Sequence, residues 1–119
     1  MQKCILSTKI HRAVITQTDL YYVGSITIDK NLMDAVGLHE FEKVEVFDIQ
    51  NGNRFETYVI VGERGSGIIG INGAAARLVH LNDEVIIVSY AWLTEDEIKS
   101  HKPRIISIGG DNTQYEVHG

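Results

Sequence analysis

The sequence predicts one mainly β domain, a small closed barrel or sandwich with a few short helices. Three observations carry this. Lys43-Val44-Glu45-Val46-Phe47-Asp48-Ile49 alternates polar and apolar, as a half-buried strand does. Asn51-Gly52 follows, a strong short hairpin signal, and residues 54–61 alternate again on the return. Val85-Ile86-Ile87-Val88-Ser89-Tyr90 is apolar on both faces, which fits a central strand.

The remaining elements follow in chain order. Short strands are expected at 3–8, 12–17 and 25–28. Leu20-Tyr21-Tyr22-Val23 also favours strand, until Gly24-Ser25 interrupts it. Asp29 is placed to cap a helical turn over 30–36, with Gly37 ending it in the left-handed region. The Asn51-Gly52 turn is expected to be type I′, which needs φ > 0 at both residues. On the returning strand, Arg54, Glu56 and Tyr58 share one face, and Phe55, Thr57 and Val59 the other. A strand at 68–71 and a short helical turn at 74–78 come next. Thr94-Glu95-Asp96-Glu97 reads as a capping box, with three acids where the helix dipole favours them. A last strand is expected at 104–108. A faint echo links 37–47 with 79–89, since both run from a polar loop into a Val-rich strand.

Composition narrows the function. The 119 residues suit a single domain over 1–119, and 44% hydrophobic content excludes wholesale disorder. Sixteen acids against 11 Lys and Arg give a net charge of −5, which disfavours nucleic acid and anionic membrane as partners. No apolar run approaches the ~20 residues of a membrane span. The N-terminus is too short in its apolar part for a signal peptide. The single cysteine, Cys4, reads as a small core residue and suits a reducing cytoplasm. His11, His39, His80, His101 and His118 are scattered, without a zinc spacing, and read as surface residues with no metal. Gly65-Ser66-Gly67-Ile68-Ile69-Gly70 matches G-x-G-x-x-G, but β-branched residues follow instead of a helix, so a loop before a strand is the better reading.

A few residues stand out from this background. Lys9 follows a strand and Arg54 follows the turn. Each is an ordinary surface charge or, if the two converge, half of a clamp for an anion with two carboxylates. Tyr58 shares the face of Arg54, as a site residue facing inward or as a cross-strand packing residue. Gly24-Ser25 marks either a plain turn or a bend where a serine hydroxyl can reach the preceding carbonyl. Gly65-Ser66 offers the same dipeptide, so spacing alone does not choose between them.

Taken together, Lys9-Ile10-His11-Arg12, Tyr22-Val23-Gly24-Ser25-Ile26-Thr27-Ile28-Asp29, Asn51-Gly52-Asn53-Arg54-Phe55-Glu56-Thr57-Tyr58, Glu63-Arg64-Gly65-Ser66 and Ile71-Asn72-Gly73-Ala74-Ala75-Ala76 stand in an order that closely resembles the pyruvoyl-dependent aspartate 1-decarboxylases of bacteria. The likeness reaches to about Ile108. It implies a double-ψ β-barrel, a cytoplasmic homotetramer, and conversion of L-aspartate to β-alanine and CO2 for pantothenate and coenzyme A synthesis. It also implies a covalent pyruvoyl group made from Ser25, with no pyridoxal phosphate and no metal. The chain would cleave itself between Gly24 and Ser25, into a β chain of 1–24 and an α chain of 25–119. Some members of the family need a maturation factor, and nothing in this sequence indicates one.

The resemblance also assigns roles. The Ser25 hydroxyl would attack the Gly24 carbonyl, with Thr57 stabilising the oxyanion and Asn72 as a polar neighbour. Substrate would join the pyruvoyl ketone as a Schiff base. Tyr58 would donate the proton that replaces CO2. Lys9 and Arg54 would hold the substrate carboxylates, with Thr57, Gly73, Ala74 and Ala75 lining the pocket. His11 and Tyr22 would lie in or just behind that pocket. Val23 and Phe47 depart from a pattern that in some relatives has Glu and Trp.

Overall fold

The computed structural model describes residues 1–118. Its strands are β1 (Gln2–Val14), β2 (Gln17–Asp19), β3 (Ser25–Asp29), β4 (Lys43–Asp48), β5 (Arg54–Gly62), β6 (Ile69–Asn72), β7 (Glu84–Thr94), β8 (Arg104–Ile108) and β9 (Tyr115–His118). Helices α1 (Lys30–Val36) and α2 (Glu95–Ser100) and a 3-10 turn over Gly73–Leu78 complete it. The fold is mainly β, as expected.

The strands form one sheet in the order β2-β6-β3-β5-β4-β7-β1-β8-β9. The ladder is open, yet β1 and β2 are nearly one stretch of chain, separated only by Ile15 and Thr16. A strand that pairs near one end and then near the other forces the sheet to curl. The bond from Thr16 N to Ile69 O (2.9 Å) draws the two edges together. Parallel pairs, β3 with β5 and β1 with β8, sit among antiparallel ones, so the chain crosses over instead of meandering. This agrees with a double-ψ barrel-like fold. The core inside the curl is aliphatic, with Ile10, Ile15, Ile26, Ile28, Ile69, Ile71, Ile87 and Ile106 fully buried. β-Branched side chains suit such a pleated, enclosed surface.

Local predictions hold where side chains near in sequence decide them. Asp29 Oδ1 accepts from Asn31 N (2.8 Å) at the start of α1, and Gly37 ends it at φ 79°. Both capping-box bonds of Thr94 and Glu97 are present. The β4–β5 hairpin forms, but its turn is not type I′. Gly52 has φ 77°, and Asn51 has no positive φ. The Asp48 carboxylate accepts from Gln50 N and Asn51 N and so winds a longer loop, with Gly52 N bonded to Asp48 O (2.9 Å).

Other expectations need correction. The separate strands at 3–8 and 12–17 are instead one long β1 that ends at Val14, kinked by bulges and by Arg12 at φ 68°, with Gln17 opening β2. Residues 20–24 are a turn with Tyr21 and Val23 exposed, not a strand. Cys4 is exposed, because the start of β1 and the end of β7 run past the core as a two-stranded arm, where Cys4 pairs with Trp92. His11 and His101 are half-buried instead of surface residues, and the His101 ring bonds Leu6 O (2.8 Å). Tyr115–His118 adds an unforeseen edge strand to β8.

The faint echo is structural. His39 N donates to Glu42 Oε1 (3.0 Å), as His80 N donates to Asp83 Oδ2 (2.9 Å). Glu42 N returns to His39 O, and Asp83 N to His80 O, each at 3.1 Å. The third residue of each turn is left-handed, Phe41 at φ 69° and Asn82 at φ 72°. Phe41 then bonds Val59 O, and Asn82 bonds Ile15 O. Two copies of one turn thus lead into β4 and β7, which pair with each other.

Two carboxyls face each other at this end of the barrel. Asp48 is buried, and its Oδ2 has no hydrogen-bond partner when the group is ionised. Burial first, then the bond to Asp83, raises the Asp48 carboxyl above its ordinary range, while Asp83, accepting that bond, is held below its own. The raised value favours the protonated form of Asp48, and the lowered one the ionised form of Asp83. Stability due to that proton is present at low pH and lost as pH rises through the raised Asp48 value. Asp83 acts oppositely and loses its contribution as pH falls through its own lowered value. Asp48→Asn keeps the acceptor for Gln50 and Asn51 and gives Asp83 a permanent N–H. An unpartnered buried polar atom costs about 1–3 kcal/mol. Urea unfolding should therefore show Asp48→Asn stabilised by about 1 kcal/mol at pH 8, with the gain shrinking at pH 5. A difference that does not change with pH would remove the protonated Asp48.

Candidate active site

Ser25 opens β3 and is 1% exposed. Its cross-strand partner in the antiparallel β3–β6 pair is Asn72. Directly opposed residues project from the same face, so the two side chains meet. Asn72 Nδ2 donates to Ser25 Oγ (2.9 Å) and also to Thr27 Oγ1 (3.1 Å). Ser66, in the rival Gly-Ser dipeptide, is exposed and donates its hydroxyl to Glu63 O (2.6 Å). The structure therefore separates two dipeptides that spacing could not.

The residues before Ser25 form an exposed turn that comes back against β6. Gly73 follows Asn72 at φ 73°, and a Cβ there would meet Gly24 Cα at 2.8 Å and Tyr22 O at 3.2 Å. Only glycine allows this approach. The space beside Gly24 itself is open, and Gly24 has no positive φ, so its peptide is accessible rather than strained. Gly24, Ser25, Asn72, Gly73 and the carbonyl of Tyr22 form one cluster, and Ala74 and Ala75 continue the chain from it.

β5 brings a second set of residues alongside. It pairs in parallel with β3, with Ile26 opposite Val59. The pairing begins there, so Tyr58 and Thr57 lie on β5 just before its first residue in this pairing, as Ser25 does on β3. Thr57 is half-buried, and Tyr58 is 37% exposed, with its ring centroid 6.5 Å from that of Phe41. The face of Arg54 and Tyr58 points to solvent, not inward. The Arg54 guanidinium lies over the Phe47 ring, 3.9 Å from its centroid, a cation–π contact.

Lys9 and His11 belong to β1, which β7, β4 and β5 separate from β3 in the sheet order. Among the described residues neither Lys9 nor Arg54 joins an ion pair. No hydrogen bond connects either of them to Ser25. His11 Nδ1 is buried without a partner. Burial first, then Lys9 and Arg12, holds its imidazole below the ordinary range, which favours the neutral ring.

Sequence reading missed Thr27 and the extent of Asp29's contacts. Besides capping α1, the Asp29 carboxylate accepts from Gly65 N (3.0 Å) and Gly67 N (2.8 Å). It thereby ties the glycine-rich loop to β3, which accounts for that loop without any phosphate. The signal for Thr27 was its position two residues after Ser25, on the same face of a strand.

Known proteins resemble the chain along most of its length. The family described as Aspartate decarboxylase matches residues 1–115. Aspartate 1-decarboxylase from Clostridium acetobutylicum is 55% identical over 120 residues, covering 97% of this chain and 94% of its own. The enzyme of that name from Ruminiclostridium cellulolyticum is 52% identical, covering 100% and 97%. That from Caldicellulosiruptor bescii is 57% identical, covering 91% and 84%.

Proposed function

The chain belongs to the aspartate decarboxylase family, and from that premise we propose that it decarboxylates L-aspartate to β-alanine through a pyruvoyl group made from its own Ser25. The observation that carries this reading is the buried Ser25 hydroxyl, held by Asn72 beside an accessible Gly24 peptide.

The cluster suits self-cleavage. The Ser25 Oγ attacks the Gly24 carbonyl carbon, and the peptide C–N bond breaks as an ester forms. Thr57, two residues before the start of the β3–β5 pairing, offers a hydroxyl to the oxyanion that develops on the way. β-Elimination then breaks the Ser25 Cβ–Oγ bond and releases the upstream chain as a carboxylate. Water hydrolyses the remaining dehydroalanine, with loss of ammonia, to the pyruvoyl group. The exposed turn at 20–24 leaves the new carboxyl terminus room to move away.

The same pocket fits the group once formed. When present, the pyruvoyl carbonyl supplies the electron sink for the carbanion left by CO2. The Tyr58 O–H donates a proton to that carbon. Lys9 and Arg54, free of ion pairs, hold the two carboxylates of a dianion. Glutamate is one methylene too long to engage both cations at once. The overall charge of −5 matters little against these local cations, because salt at ~0.15 M screens the distant field within ~8 Å. Gly73, Ala74 and Ala75 leave space for substrate beside them.

Homotetrameric assembly belongs to this proposal. The β1–β7 arm exposes Trp92 (66%) and Tyr90, an apolar surface that a second copy would cover. Lys9 and Ser25 lie three strands apart in the sheet order, which suits a pocket completed by a neighbouring copy. No described helix is long and apolar enough to cross a membrane. We place the enzyme in the cytoplasm, feeding β-alanine to pantothenate synthesis.

Intact mass of the purified protein after warming tests the proposal. The expected result is two pieces that divide at Gly24/Ser25, the larger without a free amine. CO2 release should favour aspartate over glutamate. A chain that stays whole, with no keto group and no activity, would overturn the reading. A preference for glutamate would overturn the substrate assignment.

A further inference from the structure

We propose that Thr27 is a positioning residue for self-cleavage, acting through Asn72. This rests on the cleavage reading above and assigns the geometry that aims the serine. Asn72 is buried, and its side-chain nitrogen has two hydrogens. Ser25 Oγ takes one at 2.9 Å and Thr27 Oγ1 takes the other at 3.1 Å.

The strand pattern explains why these three groups meet. Ser25 and Thr27 project from one face of β3, with Asn72 opposite the first and Gly70 opposite the second. A residue with a large side chain at 70 would contact Thr27 directly, since even a Cβ there would lie 3.7 Å from Thr27 Cβ. With glycine in that place, Thr27 is left to its diagonal neighbour, Asn72.

The terminal torsion of asparagine is broad, so one hydrogen bond fixes its amide plane poorly. A second acceptor on the same nitrogen fixes it. The amide then presents N–H, not C=O, to Ser25. An oxygen accepting that bond turns its own hydrogen away from Asn72 and keeps a lone pair for the Gly24 carbonyl. Without the Thr27 hydroxyl the amide plane is free to rotate, and Ser25 is held in several orientations.

Thr27→Val removes the hydroxyl at nearly constant volume, and Thr27→Ser keeps it. Losing one such hydrogen bond should slow cleavage about tenfold in Thr27→Val, while Thr27→Ser cleaves near the wild-type rate. In an Asn72→Ala background, Thr27→Val should slow cleavage no further, because the route through Asn72 is already gone. Wild-type cleavage by Thr27→Val, or an equal slowing in both backgrounds, would overturn the proposal. A wild-type chain that never cleaves would overturn the cleavage reading instead. The positioning is then read in the uncleaved Ser25→Ala chain, from hydrogen exchange of the Asn72 side-chain amide. Thr27→Val should speed that exchange about tenfold and Thr27→Ser should not. Unchanged exchange would overturn the proposal even if Thr27→Val failed to accumulate as a stable cleaved enzyme.

Discussion

Ser25→Ala is expected to leave the 119-residue chain whole and without decarboxylase activity. The loss should be complete, because the variant has no oxygen to attack Gly24 and no precursor of the carbonyl group. The fold should survive. Ser25 is buried but small, and its removal leaves one Asn72 hydrogen without its acceptor while Thr27 keeps the other. That costs about 1–3 kcal/mol, less than the stability of a typical domain. Intact mass and CO2 release from aspartate check both halves together. Cleavage at this bond in Ser25→Ala would mean that another nucleophile does the work.

Tyr58→Phe should separate the two activities. The proposed self-cleavage gives the Tyr58 phenol no part, so the variant should cleave as the wild type does. Turnover should fall by about 10²-fold or more in kcat, the usual scale for a lost proton donor, with KM changed little. Phenylalanine keeps the ring and its contact with Phe41, so a fall in kcat would report the phenol and not packing. Single-turnover and steady-state CO2 release, measured on fully cleaved protein, give the comparison. Equal turnover would take Tyr58 out of the reaction.

These two residues show what could be read from the chain. The alternation over 54–61 placed Tyr58 with Arg54 and opposite in face to Thr57, and the structure keeps that division. The pattern could not say which face is solvent. The Arg54 face is outward, because the aliphatic core takes Val59 and its neighbours. Ser25 and Asn72 were linked only through the family resemblance. Their meeting depends on an antiparallel pair of strands 47 positions apart, and no local pattern encodes that register. Thr27 was overlooked for the same reason. Its importance comes from a diagonal contact with β6 and from the glycine at 70.

Local chemistry and distant contacts also compete at single sites. Asn51-Gly52 signals a turn correctly, yet the Asp48 carboxylate decides the turn type by accepting two backbone N–H groups. Cys4 lies in an apolar run, but its strand outreaches the core.

The sequence by itself determined the mainly β class, most strand positions, both helix caps and the family. Those depend on alternation, on capping side chains within three residues, and on an ordered set of motifs. Only the tertiary structure decided which Gly-Ser dipeptide has a buried serine, which strands pair in parallel, and how Gly73 touches Gly24. It also decided that β7, β4 and β5 come between the strands of Lys9 and Ser25 in the sheet. Each of these is a contact between segments far apart in the chain, and side-chain periodicity has no means of specifying such partners.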